Sequence, residues 1–86
     1  MKLLSVKRNI GVYRKTDDGF EYEIPVGLPV EVLKNIVPIR DGDDELYLVY
    51  ELSADQLDQL LKIVEAVVKA DLNTFSYYLE CTGIYD

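Results

Sequence analysis

Residues 41–52, DGDDELYLVYEL, place four acids in five positions ahead of a strand-like run with two tyrosines. Clustered carboxylates can hold a divalent cation, exchange protons, keep a chain soluble or present a field to a basic partner. Proton chemistry is the least supported. The chain has no histidine, the commonest general base and metal ligand. A carboxylic acid that works near neutrality needs an apolar pocket to raise its pKa, and DGDDE reads as a solvated loop. The single cysteine, Cys81, lacks a histidine to activate it and reads as a small buried hydrophobe on a strand. Five glycines are present, none spaced as a phosphate-binding loop. The expectation is a protein that is not an enzyme and uses no cofactor.

Calcium is tested by spacing. An EF-hand needs alternate oxygen ligands, a glycine at position six and a glutamate at position twelve. Counting from Asp41, those positions hold Leu46 and Leu52. No metal site is expected.

Charge is unevenly distributed along the chain. The net charge is −7, yet residues 1–15 carry Lys2, Lys7, Arg8, Arg14 and Lys15 and no acid. All sixteen acids follow, and residues 41–58 hold seven of them without a lysine or arginine. Such a field repels phosphate backbones, so nucleic acid is not an expected partner. It would speed the approach of a basic protein, although solubility alone also explains an acidic surface.

The elements that must position these groups follow from periodicity. The chain has 86 residues, 49% hydrophobic and 29% charged, which suits one folded domain spanning 1–86. With no disulfide to form and no apolar run of membrane or secretory length, a cytoplasmic location is expected. Leu4, Val6, Ile10 and Val12 alternate as in a half-buried strand, with Arg8 interrupting at an edge or snorkelling. KTDDG is a turn, and Phe20, Tyr22, Ile24 and Val26 alternate in a second strand that Pro25 ends or confines to an edge. Residues 27–38 carry a short helix between Pro29 and Pro38. ELYLVYEL is a third strand. Ser53 at the N-cap and Gln56 form a capping box for a long helix with one apolar stripe, Leu57, Leu60, Leu61, Val64, Val67 and Val68, that ends near Lys69–Asp71. TFSYYLEC closes as a strand. The fold class expected is α+β, a four-stranded, mainly antiparallel sheet in the order β-β-α-β-α-β with two helices on one face.

Two helices with one apolar stripe each cover one side of such a sheet and leave the other bare. Parity places Ser5, Lys7, Glu21, Glu23, Tyr47, Val49, Glu51, Tyr78 and Glu80 on that bare side, with the acids of 41–45 at its rim. Seven tyrosines in a chain without tryptophan are the other unusual feature. Tyr22, Tyr50 and Tyr77 fall inward, Tyr13, Tyr47 and Tyr78 outward. Tyrosine buries much area at interfaces while ordering few torsions, though it also simply suits strands. The candidate partner-binding set is Glu21, Glu23, Asp43, Asp44, Glu45, Tyr47, Glu51, Tyr78 and Glu80.

The hairpin KTDDGFEYE and the closing FSYYLECTGIYD resemble small bacterial immunity proteins of the cloacin and ribosome-cutting colicin type. Those chains open with a strand, a charged turn and a second strand, and close on a strand with paired aromatics. This sequence departs from them in lacking tryptophan and in its long second helix. The resemblance implies an acidic inhibitor that covers the RNA-binding or catalytic surface of a cationic nuclease toxin. The leading expectation is therefore a basic protein toxin domain as partner, with no membrane and no nucleic acid bound. The rival is a self-associating module, a homodimer in which the basic first strand pairs as an edge with an acidic strand of a second copy.

Overall fold

The computed structural model describes residues 2–43, 46, 48–66 and 68–85. It contains the strands β1 (Leu3–Arg14), β2 (Phe20–Pro25), β3 (Tyr50–Glu51) and β4 (Phe75–Tyr85), with helices α1 (Val30–Lys34) and α2 (Ala54–Ile63). The four strands form an antiparallel sheet in the spatial order β2-β1-β4-β3, so the fold is α+β. Among the described residues no helix is long and apolar enough to cross a membrane.

The alternating residues of β1 and β4 build the spine. Ile10 faces Leu79 and Val12 faces Tyr77 across the ladder, and all four are buried on one side. Leu33 of α1 and Leu57, Leu60 and Leu61 of α2 join them in a single apolar cluster. Each wholly buried leucine contributes about 1.5–3 kcal/mol. The hairpin between β1 and β2 closes as the sequence predicts. Asp18 takes the left-handed conformation (φ 57), and the Gly19 N–H donates to the Asp17 carboxylate at 3.0 Å.

Four elements differ from the sequence expectation. The first strand is not a sheet edge: over Asn9–Tyr13 it lies between β2 and β4. Only Leu3–Arg8 runs past the last β2 rung, where Val26 N–H meets the Arg8 carbonyl at 2.9 Å.

Near the other end, Val12 pairs with Tyr22 but Tyr13 pairs with Phe20, which leaves Glu21 as an extra residue in a β-bulge. The bulge flips Phe20 off the core face and onto Tyr13, with ring centroids 5.7 Å apart.

The third strand shrinks to two residues. Leu46 adopts φ 54 and drives its side chain into the core, so no extended run can pass through it.

The second helix ends at Ile63 instead of reaching Lys69–Asp71. Glu65 takes φ 55, Glu65 N–H donates to Lys62 and Ala66 N–H to Leu61, the paired bonds of a Schellman motif. Ala66 and Val68 still pack on the core, from non-helical chain.

Candidate functional site

Among the described residues, the sheet face opposite the helices carries no packed layer. Across it, Glu23, Gly11, Tyr78 and Glu51 form one cross-strand row from β2 to β3. The next row toward the β1 N-terminus holds Pro25, Asn9 and Glu80; the next toward its C-terminus holds Phe20, Tyr13 and Ser76. Glu23, Glu51 and Phe20 are exposed, while Tyr13, Tyr78 and Glu80 are half-buried. Asn9 is the exception: only 4% exposed, it is buried between its directly opposed neighbours Pro25 and Glu80.

Gly11 organises the centre. With no side chain there, the Tyr13 ring lies over bare backbone and reaches two rungs along to Glu80. Its hydroxyl donates to Glu80 Oε2 at 2.5 Å. A Cβ at Gly11 would crowd the Glu80 carboxylate and meet the Tyr13 ring at 2.9 Å, so any side chain there has to push one of them aside. Tyr78 packs edge-to-face on Tyr13 with centroids 5.6 Å apart. Phe20, Tyr13 and Tyr78 thus make an aromatic ridge across the strands, flanked by Glu23, Glu51 and Glu80. The hydrogen bond to Glu80 favours the neutral phenol and pushes the Tyr13 pKa up to about 12.

Beside the ridge lies an open groove of about 230 Å³, lined by Tyr13, Asp18, Val49, Ser76, Tyr78 and Glu80. No cation lines it. Arg14 is held away by Asp17 (3.0 Å) and Glu21 (2.7 Å), and Lys15 donates to the Leu72 carbonyl. The guanidinium lowers the Asp17 pKa through its hydrogen bond.

The sequence-derived residues divide accordingly. Glu23, Glu51, Tyr78 and Glu80 come together on the bare face. Glu21, the bulge residue, is turned to Arg14 and its charge is matched there. Asp43 is a correction: it is only 7% exposed and faces inward. The tight turn at Gly42 (φ 85) aims it at the core, where its Oδ2 accepts from the Tyr50 hydroxyl (2.5 Å) and the Leu48 N–H (3.1 Å). Tyr50 in turn accepts from the Arg40 N–H at 3.0 Å, and the Arg40 guanidinium stacks 4.7 Å above its ring. Burial raises the Tyr50 pKa. Asp44, Glu45 and Tyr47 lie outside the described residues. Among the described residues no group of three His, Cys, Asp or Glu side chains is placed to hold a metal ion.

Sequence reasoning passed over Phe20, Asp18 and Ser76, and placed Tyr13 on this face without making it a contact. The bulge that delivers Phe20 leaves no trace in the alternation. A glycine mid-strand at position 11, two residues from an outward tyrosine, was the available sign of side chains crossing the backbone.

No curated protein and no solved structure matches the chain. A family model described as "Domain of unknown function (DUF7683)" matches residues 7–80.

Proposed function

The chain belongs to the DUF7683 family, and we propose that it is a cytoplasmic, non-enzymatic immunity protein that binds and neutralises a cationic bacterial toxin, a nuclease by the resemblance of its sequence. The supporting observation is the uncovered sheet face. Three carboxylates, Glu23, Glu51 and Glu80, flank a ridge of Phe20, Tyr13 and Tyr78 that no other part of the described chain covers. Carboxylates of this kind steer a basic partner into encounter, and half-buried aromatics supply contact area once it docks. The face offers a nucleic-acid-binding surface an acidic, ring-bearing substitute for its ligand.

The test is stopped-flow association with the basic C-terminal domain of a secreted protein encoded next to this chain. Association is expected to slow steeply as salt rises. Glu51→Lys should slow it by roughly tenfold at low salt and flatten that dependence. Tyr78→Ala should act mainly on dissociation. An association rate indifferent to salt would sink the proposal.

A second reading has one observation in its favour. Among the described residues, Leu3–Arg8 beyond the last β2 rung pairs only with the end of β4, and β3 pairs with β4 only at Tyr78 and Leu79. This two-stranded ribbon exposes Leu4 and Ile84 and offers open edges to a second copy. Light scattering that finds a monomer at high concentration across a salt series removes this reading.

A further inference from the structure

We infer that the groove beside Tyr13 and Tyr78 is a receptor for one arginine side chain of the partner. It deepens the immunity reading, on which it rests only for the source of that side chain.

At about 230 Å³ the hollow is smaller than the usual site of a drug-sized molecule and fits a side chain. Its chemistry selects a cation, because the charged residues that line it among those described, Glu80 and Asp18, are both acids. The groups are set and uncommitted. The Tyr13 hydroxyl holds Glu80 Oε2, which fixes the carboxylate plane, while Oε1 takes no hydrogen bond from the described residues. The Tyr78 hydroxyl likewise has no partner among the described residues, unlike those of Tyr13, Tyr50 and Tyr77.

The walls choose between the two cations. Tyr13 and Tyr78 stand at 74° to one another, and Val49 adds an apolar side. A planar, weakly hydrated guanidinium can lie on a ring face and fork its N–H groups to a carboxylate in the same pose. A lysine ammonium has no flat face to stack and keeps its water more tightly.

The test is an NMR titration of the ¹⁵N-labelled full chain with N-acetyl-L-arginine amide, against its lysine and citrulline counterparts. Arginine amide is expected to give saturable shifts at the amides of Ser76, Tyr78 and Glu80, with lysine amide binding at least about threefold more weakly and neutral citrulline amide not at all. Tyr78→Ala and Glu80→Gln should each weaken arginine binding by about threefold or more. The glutamine keeps an acceptor for Tyr13, and Asp18→Asn, in an exposed turn that asparagine tolerates, tests the charge without touching the sheet. Equal responses to arginine and lysine, or shifts spread to Asp55 and Asp58 on the helix face, would overturn the inference. A protein that neutralises a basic toxin in a salt-sensitive way yet fails the arginine titration loses the arginine groove alone. One that passes the titration but neutralises no basic toxin keeps the groove and loses the immunity reading.

Discussion

The same chemical pair occurs twice in this molecule, once inside and once outside. Tyr50 donates to Asp43 and Tyr13 donates to Glu80, both at 2.5 Å. Inside, the carboxylate also accepts from Leu48 N–H, the phenol also accepts from Arg40 N–H, and the assembly holds the loop between α1 and β3 against the core. Outside, the pair lies over Gly11 on an open face, and among the described residues one carboxylate oxygen and the neighbouring Tyr78 hydroxyl are uncommitted. Burial decides what such a pair does. Surrounded by donors and shielded from water, it fixes structure; exposed and half-satisfied, it is left available to a ligand.

Substitutions that strike each pair should separate these roles. The largest effect is expected at Asp43. Asp43→Ala strands the buried Tyr50 hydroxyl and frees the part-buried Leu48 N–H, which should cost about 3 kcal/mol and lower the melting temperature by roughly 15 °C. A loss below about 1 kcal/mol would mean that the inner pair is as dispensable as the outer.

Removing one hydroxyl at each site sharpens the contrast. Tyr50→Phe should cost about 1.5 kcal/mol and Tyr13→Phe less than about 0.5 kcal/mol in denaturant titrations, because water replaces the outer bond. Equal losses would erase the distinction.

The smallest effect is a titration. The neutral Tyr13 phenol is favoured in the folded state, so the stability it lends is complete below the ordinary tyrosine pKa of about 10. It is lost as pH rises through about 12. Followed by the Tyr13 ring resonance, Glu80→Gln should bring the ionisation back toward the ordinary value. An unchanged midpoint would mean that Glu80 does not govern it.

The contrast also explains what the sequence could and could not reveal. Period-two alternation located β1, β2 and β4, since a half-buried strand must alternate to separate core from water. The capping box at Ser53 was legible because it is local chemistry, and both its bonds form: Gln56 N–H to Ser53 Oγ at 3.2 Å and Ser53 N–H to Gln56 Oε1 at 2.9 Å. The helix end was not. Val64, Val67 and Val68 continue the apolar stripe, and nothing in a glutamate announces a left-handed turn. Nor did DGDDE distinguish its members: the turn at Gly42 aims Asp43 inside, where Tyr50 and the Leu48 amide meet it. On the bare face, parity was enough for Glu23, Glu51, Tyr78 and Glu80. It failed at Glu21 and Phe20, where one extra residue puts the side chain at the start of β2 on the other side.

Gly11 carries a consequence for how this surface can change. The positions that shape its centre, 11, 13 and 80, share a single volume, so a side chain added at 11 displaces the Glu80 carboxylate or the Tyr13 ring. Alanine at 11 is crowded while the tyrosine and glutamate remain, and becomes acceptable once either is shortened. Substitutions across the three are therefore expected to be non-additive, each one's cost set by what stands at the other two.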